Sequence, residues 1–371
     1  MTANTINQAL LLATLPHIDP PHFLVPVITT AATLTKNRLV IVLFSRYFNS
    51  TSRRAAGSRY YAQTRKRLSH TAQWDDIEGL LTFVYVQATK VAQDLDKVLM
   101  EIDVLLLGLD EEIPESLAEG TGVVFRVAGD AICVPLPLSI GEIRSMYLTP
   151  GDLVPEEIEL SPKVSPSSSP RAESSRLPGQ EDVPTPHLYP VVALGGTFDH
   201  LHAGHKILLS MGAWIASEKI IVGITDDALL QKKAHKHVLQ KMSERIARVR
   251  DFLSLFKPGI VYDIVPISDV YGPTGWDANI QALVVSKETL SGAESIHDHR
   301  ATHDLPALRT FVIDVISPTS RLEHDDLELL KATKMSSTFI REWIVNHNKR
   351  EEEETEEEAN GAVTRGVVPS S

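Results

Sequence analysis

Cysteine is almost absent from this 371-residue sequence, in which Cys133 is the single example. One cysteine cannot form an intrachain disulfide, and a zinc site built from several cysteines is excluded as well. A membrane span of about 18 apolar residues is also missing, because stretches such as Leu39–Phe44 have only the length of a buried strand. No signal-peptide pattern begins the sequence, and no arginine precedes Arg38. These absences predict a cytoplasmic protein without membrane association.

Positive charge is outweighed, and the formal net charge is −12. Seven glutamates lie within Glu351–Glu358, so removing these seven charges from −12 leaves −5. A block of like charge repels itself, which predicts a disordered acidic tail over residues 349–371. An acidic chain of this kind does not favour nucleic-acid binding.

Composition divides the rest of the chain into three segments. Residues 1–150 contain apolar strand-like stretches and a stretch of helical spacing at Val86–Met100, which predicts an N-terminal α/β domain. Residues 151–188 hold seven prolines and a Ser-Pro-Ser-Ser-Ser-Pro run. Such a segment cannot bury enough apolar surface to offset chain entropy, so we expect a disordered linker and few contacts across it. Residues 189–348 form the second domain.

Short apolar strands alternate with helices in the second domain. The predicted strands are Val191–Leu194, Ile220–Ile224, Val261–Val265, Ala282–Val285 and Phe311–Val315. Strands that are apolar on both faces are typical of a parallel sheet with helices on both sides. The sequence therefore predicts a doubly wound, Rossmann-like α/β fold, in which ligands bind at the carboxyl ends of the strands.

The strongest functional signal follows the first of these strands and reads Gly-Gly-Thr-Phe-Asp-His-Leu-His-Ala-Gly-His over residues 195–205. Gly195 and Gly196 let the backbone approach a ligand closely, and the next helix offers its N-terminus to phosphate. His202 and His205 share one face of the first helical turn, where they would stabilise charge on a phosphoryl group. Structural histidines are one alternative. A metal site is another, but no convincing third ligand accompanies the pair.

His202-Ala-Gly-His205 resembles the H-x-G-H signature of nucleotidyltransferases, and the longer string resembles eukaryotic phosphopantetheine adenylyltransferases. Further segments match this family in order: Gly223–Asp226, Leu229–Lys233, Glu244-Arg245, Asp269–Pro273, Leu283–Ser286 with Glu288-Thr289, and Met335–Arg341. The resemblance implies transfer of AMP from ATP to 4′-phosphopantetheine, which yields dephospho-coenzyme A and pyrophosphate in coenzyme A biosynthesis. Direct in-line attack is implied, so catalysis would rest on positioning and electrostatics.

The resemblance also implies roles for single residues. Thr197 would orient the attacking phosphate, His205 would donate to the α-phosphate, and His202 would contact ATP phosphates. Lys233 would neutralise the phosphopantetheine phosphate, with its neighbour Lys232 as the alternative. The other predicted ATP-binding residues are Gly195, Gly196, Phe198, Gly204, Ser286, Ser336, Ser337, Thr338 and Arg341. Tyr271 and Gly272 complete the predicted phosphopantetheine-binding set. Mg²⁺ is expected with ATP, and no metal held by the protein is expected.

Two further functions remain open at this level. A cytidylyltransferase acting on an alcohol phosphate usually carries Arg-Thr-x-Gly-Ile-Ser-Thr, where this sequence has Lys334-Met-Ser-Ser-Thr. A non-catalytic scaffold could instead gather other enzymes of coenzyme A synthesis. A second, kinase activity in the same chain would need a P-loop, which contains a Gly-Lys dipeptide, and no such dipeptide occurs in the sequence. The resemblance is therefore to the members of the family that carry out the transfer reaction alone, which are of the fungal type.

The N-terminal half repeats the order of the apolar segments of the second domain. Leu10–Thr14 and Leu39–Phe44 parallel Val191–Gly195 and Ile220–Ile224. The glycine pair and the H-x-G-H signature are missing from the N-terminal half. The pattern predicts a degenerate transferase-like repeat that binds no ATP, and an unrelated α/β domain is the alternative.

Overall fold

A computed structural model describes residues 6–49, 69–151, 186–314, 333 and 336–365. These residues form two five-stranded sheets in which every strand pair is parallel. The predicted α/β class and the doubly wound second domain are confirmed. Most of the predicted linker falls in 152–185, outside the described residues. Within the described segments, no helix is both long and apolar enough to cross a membrane.

The N-terminal domain consists of the first sheet and the helices that pack on it. Its strands are β1 (Ile6–Thr14), β2 (Thr35–Ser45), β3 (Glu101–Gly108), β4 (Val123–Val127) and β5 (Ser145–Leu148). Its helices are α1 (Val25–Leu34), α2 (Trp74–Asp94) and α3 (Leu138–Gly141). The strand order is β3-β2-β1-β4-β5. The central strand β1 is buried on both faces, which explains why its middle is an unbroken apolar run.

The second domain surrounds the other sheet. Its strands are β6 (Tyr189–Gly196), β7 (Ala216–Thr225), β8 (Val261–Ile267), β9 (Ala282–Ser286) and β10 (Arg309–Ile313). Its helices are α4 (Ala203–Ile215), α5 (Met242–Phe256), α6 (Leu290–Thr302) and α7 (Ser337–Arg365). The order β10-β9-β6-β7-β8 places β6 at the centre, between β7 and β9. The strand order reverses at this point, so the crevice beyond the carboxyl end of β6 is the expected ligand site.

The two sheets share one topology. Counted within its own domain, each has the strand order 3-2-1-4-5. In each domain the first helix runs directly into the second strand without a connecting residue. The ladder of the first two strands is irregular at the same place in both, between Ile6 and Gln8 and between Tyr189 and Val191. These coincidences support a repeat, which stays a prediction.

The matching ladders define counterparts in the two domains. By the pairing of β1 with β2 and of β6 with β7, Thr14 corresponds to Thr197, the residue that follows β6. The sequence comparison, which sets Thr14 opposite Gly195, is therefore wrong by two residues, because the chain between the first two strands is two residues longer in the N-terminal domain. The ladders β2–β3 and β7–β8 make Asp103 the counterpart of Asp263. These positions allow the two domains to be compared residue by residue.

The domains pack against each other through one shared apolar core. The indole of Trp214 on α4 stacks on His70 at 4.0 Å between ring centroids and donates to its carbonyl at 3.0 Å. Trp74 on α2 contacts Phe311 on β10 at 4.8 Å between ring centroids. The expectation of few contacts between the domains is therefore wrong. Linker composition does not reveal apolar faces that two folded domains bury together.

Helix α7 continues to Arg365 and so passes through Glu351–Glu358, where the sequence predicts disorder. Its first turns are anchored by the buried Ile340. Once a helix is nucleated, glutamate, lysine and arginine extend it well, because their helix propensities are high. The predicted disordered tail is therefore helical over most of its length, and residues 366–371 lie outside the described part.

Candidate active site

The glycine-rich turn leaves the sheet at the carboxyl end of β6. Phe198 and His200 both have positive φ, at 51° and 44°, so the chain turns sharply between β6 and α4. The ring of Phe198 is buried beneath the turn, and a Cβ at Gly196 would lie 3.1 Å from it. A side chain at position 196 would therefore crowd the buried ring of Phe198. Phe198, which was predicted to bind ATP, has only its backbone available for a ligand.

His202 and His205 stand together at the start of α4, as the spacing predicts. Their rings stack with centroids 3.8 Å apart. Both Nδ1 atoms are buried and have no hydrogen-bond partner among the described residues. Burial lowers the pKa of His205 to about 4 and that of His202 well below its usual value, to which the nearby His205 and Lys206 also contribute. Both imidazoles are therefore neutral near pH 7, with one N–H to donate and one free acceptor.

A buried ion pair joins the two predicted phosphate motifs. Arg341 on α7 donates through Nη1 to Oδ2 of Asp199 at 2.6 Å, and both side chains are buried. The hydroxyl of Ser337 donates to the Asp199 carbonyl at 2.8 Å. The amino end of α7, with Ser336 and Thr338, is thereby held beside the H-x-G-H turn. The observed partners of Arg341 are protein groups, and its predicted role in binding ATP stays a prediction.

The predicted phosphate lysines lie on a loop that the same groups anchor. Arg341 donates through Nε to the carbonyl of Ala234 at 2.9 Å, and an imidazole nitrogen of His200 lies 2.8 Å from the carbonyl of Val238. Lys232 and Lys233 sit just before these anchors and are both exposed. The structure brings the loop to the site and does not distinguish between the two ammonium groups.

Arg245 on α5 fixes the backbone of the site. Its side chain is fully buried, and Nη1 donates to the carbonyls of Thr197 at 2.8 Å and Thr225 at 3.0 Å. Nε donates to Gln240, and Nη2 pairs with Asp227. The guanidinium therefore ties the ends of β6 and β7 together behind Thr197. Sequence analysis matches Glu244-Arg245 to the family but assigns Arg245 no role, although the residue lies on the apolar stripe of α5.

The remaining predicted residues flank this centre. Ser286 ends β9, which pairs with β6, and its hydroxyl lies 3.2 Å from that of Thr289. Tyr271 and Gly272 follow β8, two strands from β6, and their backbone N–H groups donate to Asp269. The Tyr271 ring stacks on His299 of α6 at 4.2 Å between centroids. Its ring is therefore committed to packing at the edge of the crevice.

Over the residues that the structure describes, no group of three or more histidine, cysteine, aspartate or glutamate side chains could hold a metal ion. The chemistry of the site is instead that of backbone amides, hydroxyls, neutral imidazoles and lysines. Such groups bind phosphate oxygens. The doubly wound sheet and this turn define a nucleotidyltransferase, and the sequence profile of the Cytidylyltransferase-like family matches residues 193–343.

Three curated relatives narrow this class. The phosphopantetheine adenylyltransferase of Saccharomyces cerevisiae is 43% identical over 154 residues, which are 42% of this chain and 48% of the relative. That of Pyrobaculum aerophilum is 37% identical over 126 residues, or 34% of this chain and 79% of the relative. The phosphopantetheine adenylyltransferase of Pyrococcus furiosus is 32% identical over 158 residues, which are 43% of this chain and 91% of the relative. This chain belongs to the phosphopantetheine adenylyltransferase family. It spans about half the length of the yeast relative and most of the archaeal ones.

Proposed function

We propose that this chain transfers AMP from ATP to 4′-phosphopantetheine and releases dephospho-coenzyme A and pyrophosphate in coenzyme A biosynthesis. The observation that carries the proposal is the pair of neutral imidazoles, His202 and His205, with unpartnered Nδ1 atoms at the amino end of α4. Preorganised donors beside a helix N-terminus stabilise charge that develops on a phosphoryl group. The names of the relatives support the choice of nucleotide and acceptor.

The reaction needs one bond to form and one to break. A phosphate oxygen of phosphopantetheine bonds to the α-phosphorus, and the bond from that phosphorus to the β-bridging oxygen breaks as pyrophosphate leaves with the electron pair. Thr197 orients the attacking phosphate, and Arg245 fixes Thr197 by donating to its backbone carbonyl. Lys233, with Lys232 as the alternative, neutralises that phosphate. His205 donates to an α-phosphate oxygen, and no side chain acts as a nucleophile.

The amino end of α7 serves the leaving group. Ser336 precedes this helix and Ser337 and Thr338 begin it. Hydroxyls and backbone N–H groups at such a helix start suit the β- and γ-phosphates. The ATP phosphates would hold Mg²⁺, which would neutralise part of their charge. This fits a site without a carboxylate cluster among the described residues, because Mg²⁺ is commonly held by substrate phosphates. A cytoplasmic location is part of the proposal and fits the exposed thiol of Cys133.

Pyrophosphate release from the full chain tests the proposal. ATP and CTP are compared, each with and without 4′-phosphopantetheine. We expect release only when ATP and phosphopantetheine are both present, and dephospho-coenzyme A in equal amount. Release from CTP with an alcohol phosphate would favour a cytidylyltransferase. A folded chain that releases no pyrophosphate from any combination would exclude both activities and leave the scaffold.

A further inference from the structure

The residue after His205 links the catalytic turn to the N-terminal domain. The ammonium of Lys206 donates to Oδ1 of Asp103 at 2.6 Å and to the carbonyl of Ile102 at 2.8 Å, both on β3. The backbone N–H of Lys206 donates to the carbonyl of His202 at 3.0 Å. Lys206 therefore closes the first turn of α4 with its backbone and grips the other domain with its side chain.

Asp103 is held from two sides. Its Oδ2 atom accepts from Nε and Nη2 of Arg38 at 3.1 and 2.9 Å, while Oδ1 faces Lys206. Burial opposes ionisation of this carboxyl, but Lys206 and Arg38 together hold its pKa below the usual range. The Asp103 carboxyl is consequently ionised at neutral pH. It borders a cleft of about 920 Å³ between the domains, which also reaches His202.

The second domain contains a counterpart of the Arg38–Asp103 pair, without the bond to Lys206. Lys219 and Asp263, the counterparts of Arg38 and Asp103, lie 3.2 Å apart with side chains 35% and 41% exposed. The side chain of Asp103 is only 6% exposed. The shared topology alone therefore does not bury this strand position. Asp103 is buried because Lys206 and α5 pack against it. Asp103 thus contacts the catalytic turn through Lys206, whereas its counterpart Asp263 does not.

We propose that Asp103 and Lys206 are positioning residues for the transfer reaction, through which the N-terminal domain fixes the first turn of α4. The inference rests on the proposed function, since His202 and His205 are the groups being positioned. A misplacement of about 1 Å can lower a rate roughly 100-fold. The turn cannot shift without separating a buried ion pair, which is strongly unfavourable. The N-terminal domain is therefore part of the active-site scaffold.

Steady-state kinetics of the full chain test this role. Asp103→Asn and Lys206→Met remove the pair from either side, and Asp263→Asn is the matched control. We expect kcat to fall about 10-fold or more in both variants while KM for each substrate changes less than about threefold, as expected for lost positioning. Asp263→Asn should behave as the wild type. The double variant Asp103→Asn/Lys206→Met should be no slower than Lys206→Met alone, because the two residues act as a unit.

Hydrogen exchange distinguishes a pair that positions the first turn of α4 from one that only stabilises the contact between the domains. The measurement does not depend on turnover. In folded Asp103→Asn, we expect faster exchange of the amides in the first turn of α4, and unchanged exchange there in Asp263→Asn. A variant with lower thermal stability but wild-type kcat and unchanged exchange would overturn the inference, as would additive effects in the double variant. If Asp103→Asn does not fold, Lys206→Met, which keeps an apolar stem, allows the same comparison. Absence of product from the wild type would defeat the proposed function alone, since the exchange result stands separately.

Discussion

The backbone N–H of Thr14 donates to the Oδ2 atom of Asp130 at 2.7 Å. Thr14 is the counterpart of Thr197, beside which the second domain is proposed to hold phosphate. Asp130 lies three residues beyond the end of β4, at the position that Thr289 occupies after β9. A carboxylate of the protein itself thus accepts the hydrogen bond that a phosphate oxygen would accept. The negative charge there also opposes binding of a nucleotide.

This arrangement predicts one ATP site in each full chain. Besides Asp130, Pro16 follows the turn and lacks an N–H donor. Isothermal titration calorimetry with Mg-ATP, without an acceptor, should give a stoichiometry of one. Asp130→Asn should also give one, because Pro16 still lacks a donor. A second saturable site in either protein would contradict the interpretation of the N-terminal domain as degenerate.

Replacement of His205 should affect turnover far more than stability. Removing one preorganised donor to a developing oxyanion typically lowers kcat by about 100- to 1000-fold. We therefore expect His205→Ala to lower kcat by at least about 100-fold, with a melting temperature close to that of the wild type. His303→Ala, which removes an exposed imidazole at the end of α6, is the control. Near-normal turnover of folded His205→Ala would remove His205 from the mechanism.

The buried imidazole of His205 also predicts a pH dependence of stability. Its pKa is about 4 in the folded chain because of burial, against about 6.5 for an unfolded chain. Between these values the unfolded chain binds a proton that the folded chain does not, so lowering the pH from 6.5 towards 4 reduces the free energy of unfolding. The reduction amounts to at most about 3 kcal/mol from this group.

Urea unfolding at a series of pH values measures this effect. His205→Gln should show a shallower loss of stability than the wild type between pH 6.5 and 4, while His303→Gln should follow the wild type. Equal slopes for His205→Gln and the wild type would show that His205 is not held neutral by the fold.

Sequence pattern was sufficient for the architecture of the second domain. Its strands alternate with helices at clear intervals, and each predicted strand overlaps an observed one. Helix α2 was less predictable, because the helical spacing noted at Val86–Met100 continues past its end at Asp94. Asp96 has a φ of 56°, and a left-handed residue stops the helix. Hydrophobic spacing alone does not show such a stop.

The site was predictable where its residues are neighbours in sequence. The turn from Gly195 to His205 is local, so its spacing indicates its geometry. Contacts such as Asp199–Arg341 and Asp103–Lys206 join residues more than a hundred positions apart, and sequence spacing carries no information on such pairs. A signal existed for Arg245, which shares the buried stripe of α5 with Val249, Phe252 and Phe256. A charged residue on an apolar stripe indicates a buried partner.

Arg245→Lys should impair catalysis although the charge is retained. One ammonium group cannot reproduce the fork that bonds the carbonyls of Thr197 and Thr225 while pairing with Asp227. We expect kcat to fall about 10-fold or more, because Thr197 loses its fixed position. Arg250→Lys, at an exposed position of the same helix, should leave kcat unchanged. If both variants turn over equally, Arg245 does not position the site.

Asp199→Asn should weaken both the fold and the binding of ATP. It leaves the buried guanidinium of Arg341 without its counter-charge, and breaking a buried pair from one side typically costs about 3–5 kcal/mol. Asp94→Asn breaks the pair of Asp94 with Lys90 on the surface of α2, and such pairs contribute less than about 1 kcal/mol.

Urea unfolding of the two variants measures this difference, and the KM for ATP reports the second consequence. Since Asp199 holds the amino end of α7 through Arg341 and Ser337, its loss should loosen the hydroxyls proposed to bind the β- and γ-phosphates. The KM for ATP should therefore rise in Asp199→Asn and stay at the wild-type value in Asp94→Asn. Equal stability of the two variants would show that the Asp199–Arg341 pair does not hold the two motifs together, and an unchanged KM would separate α7 from the leaving group.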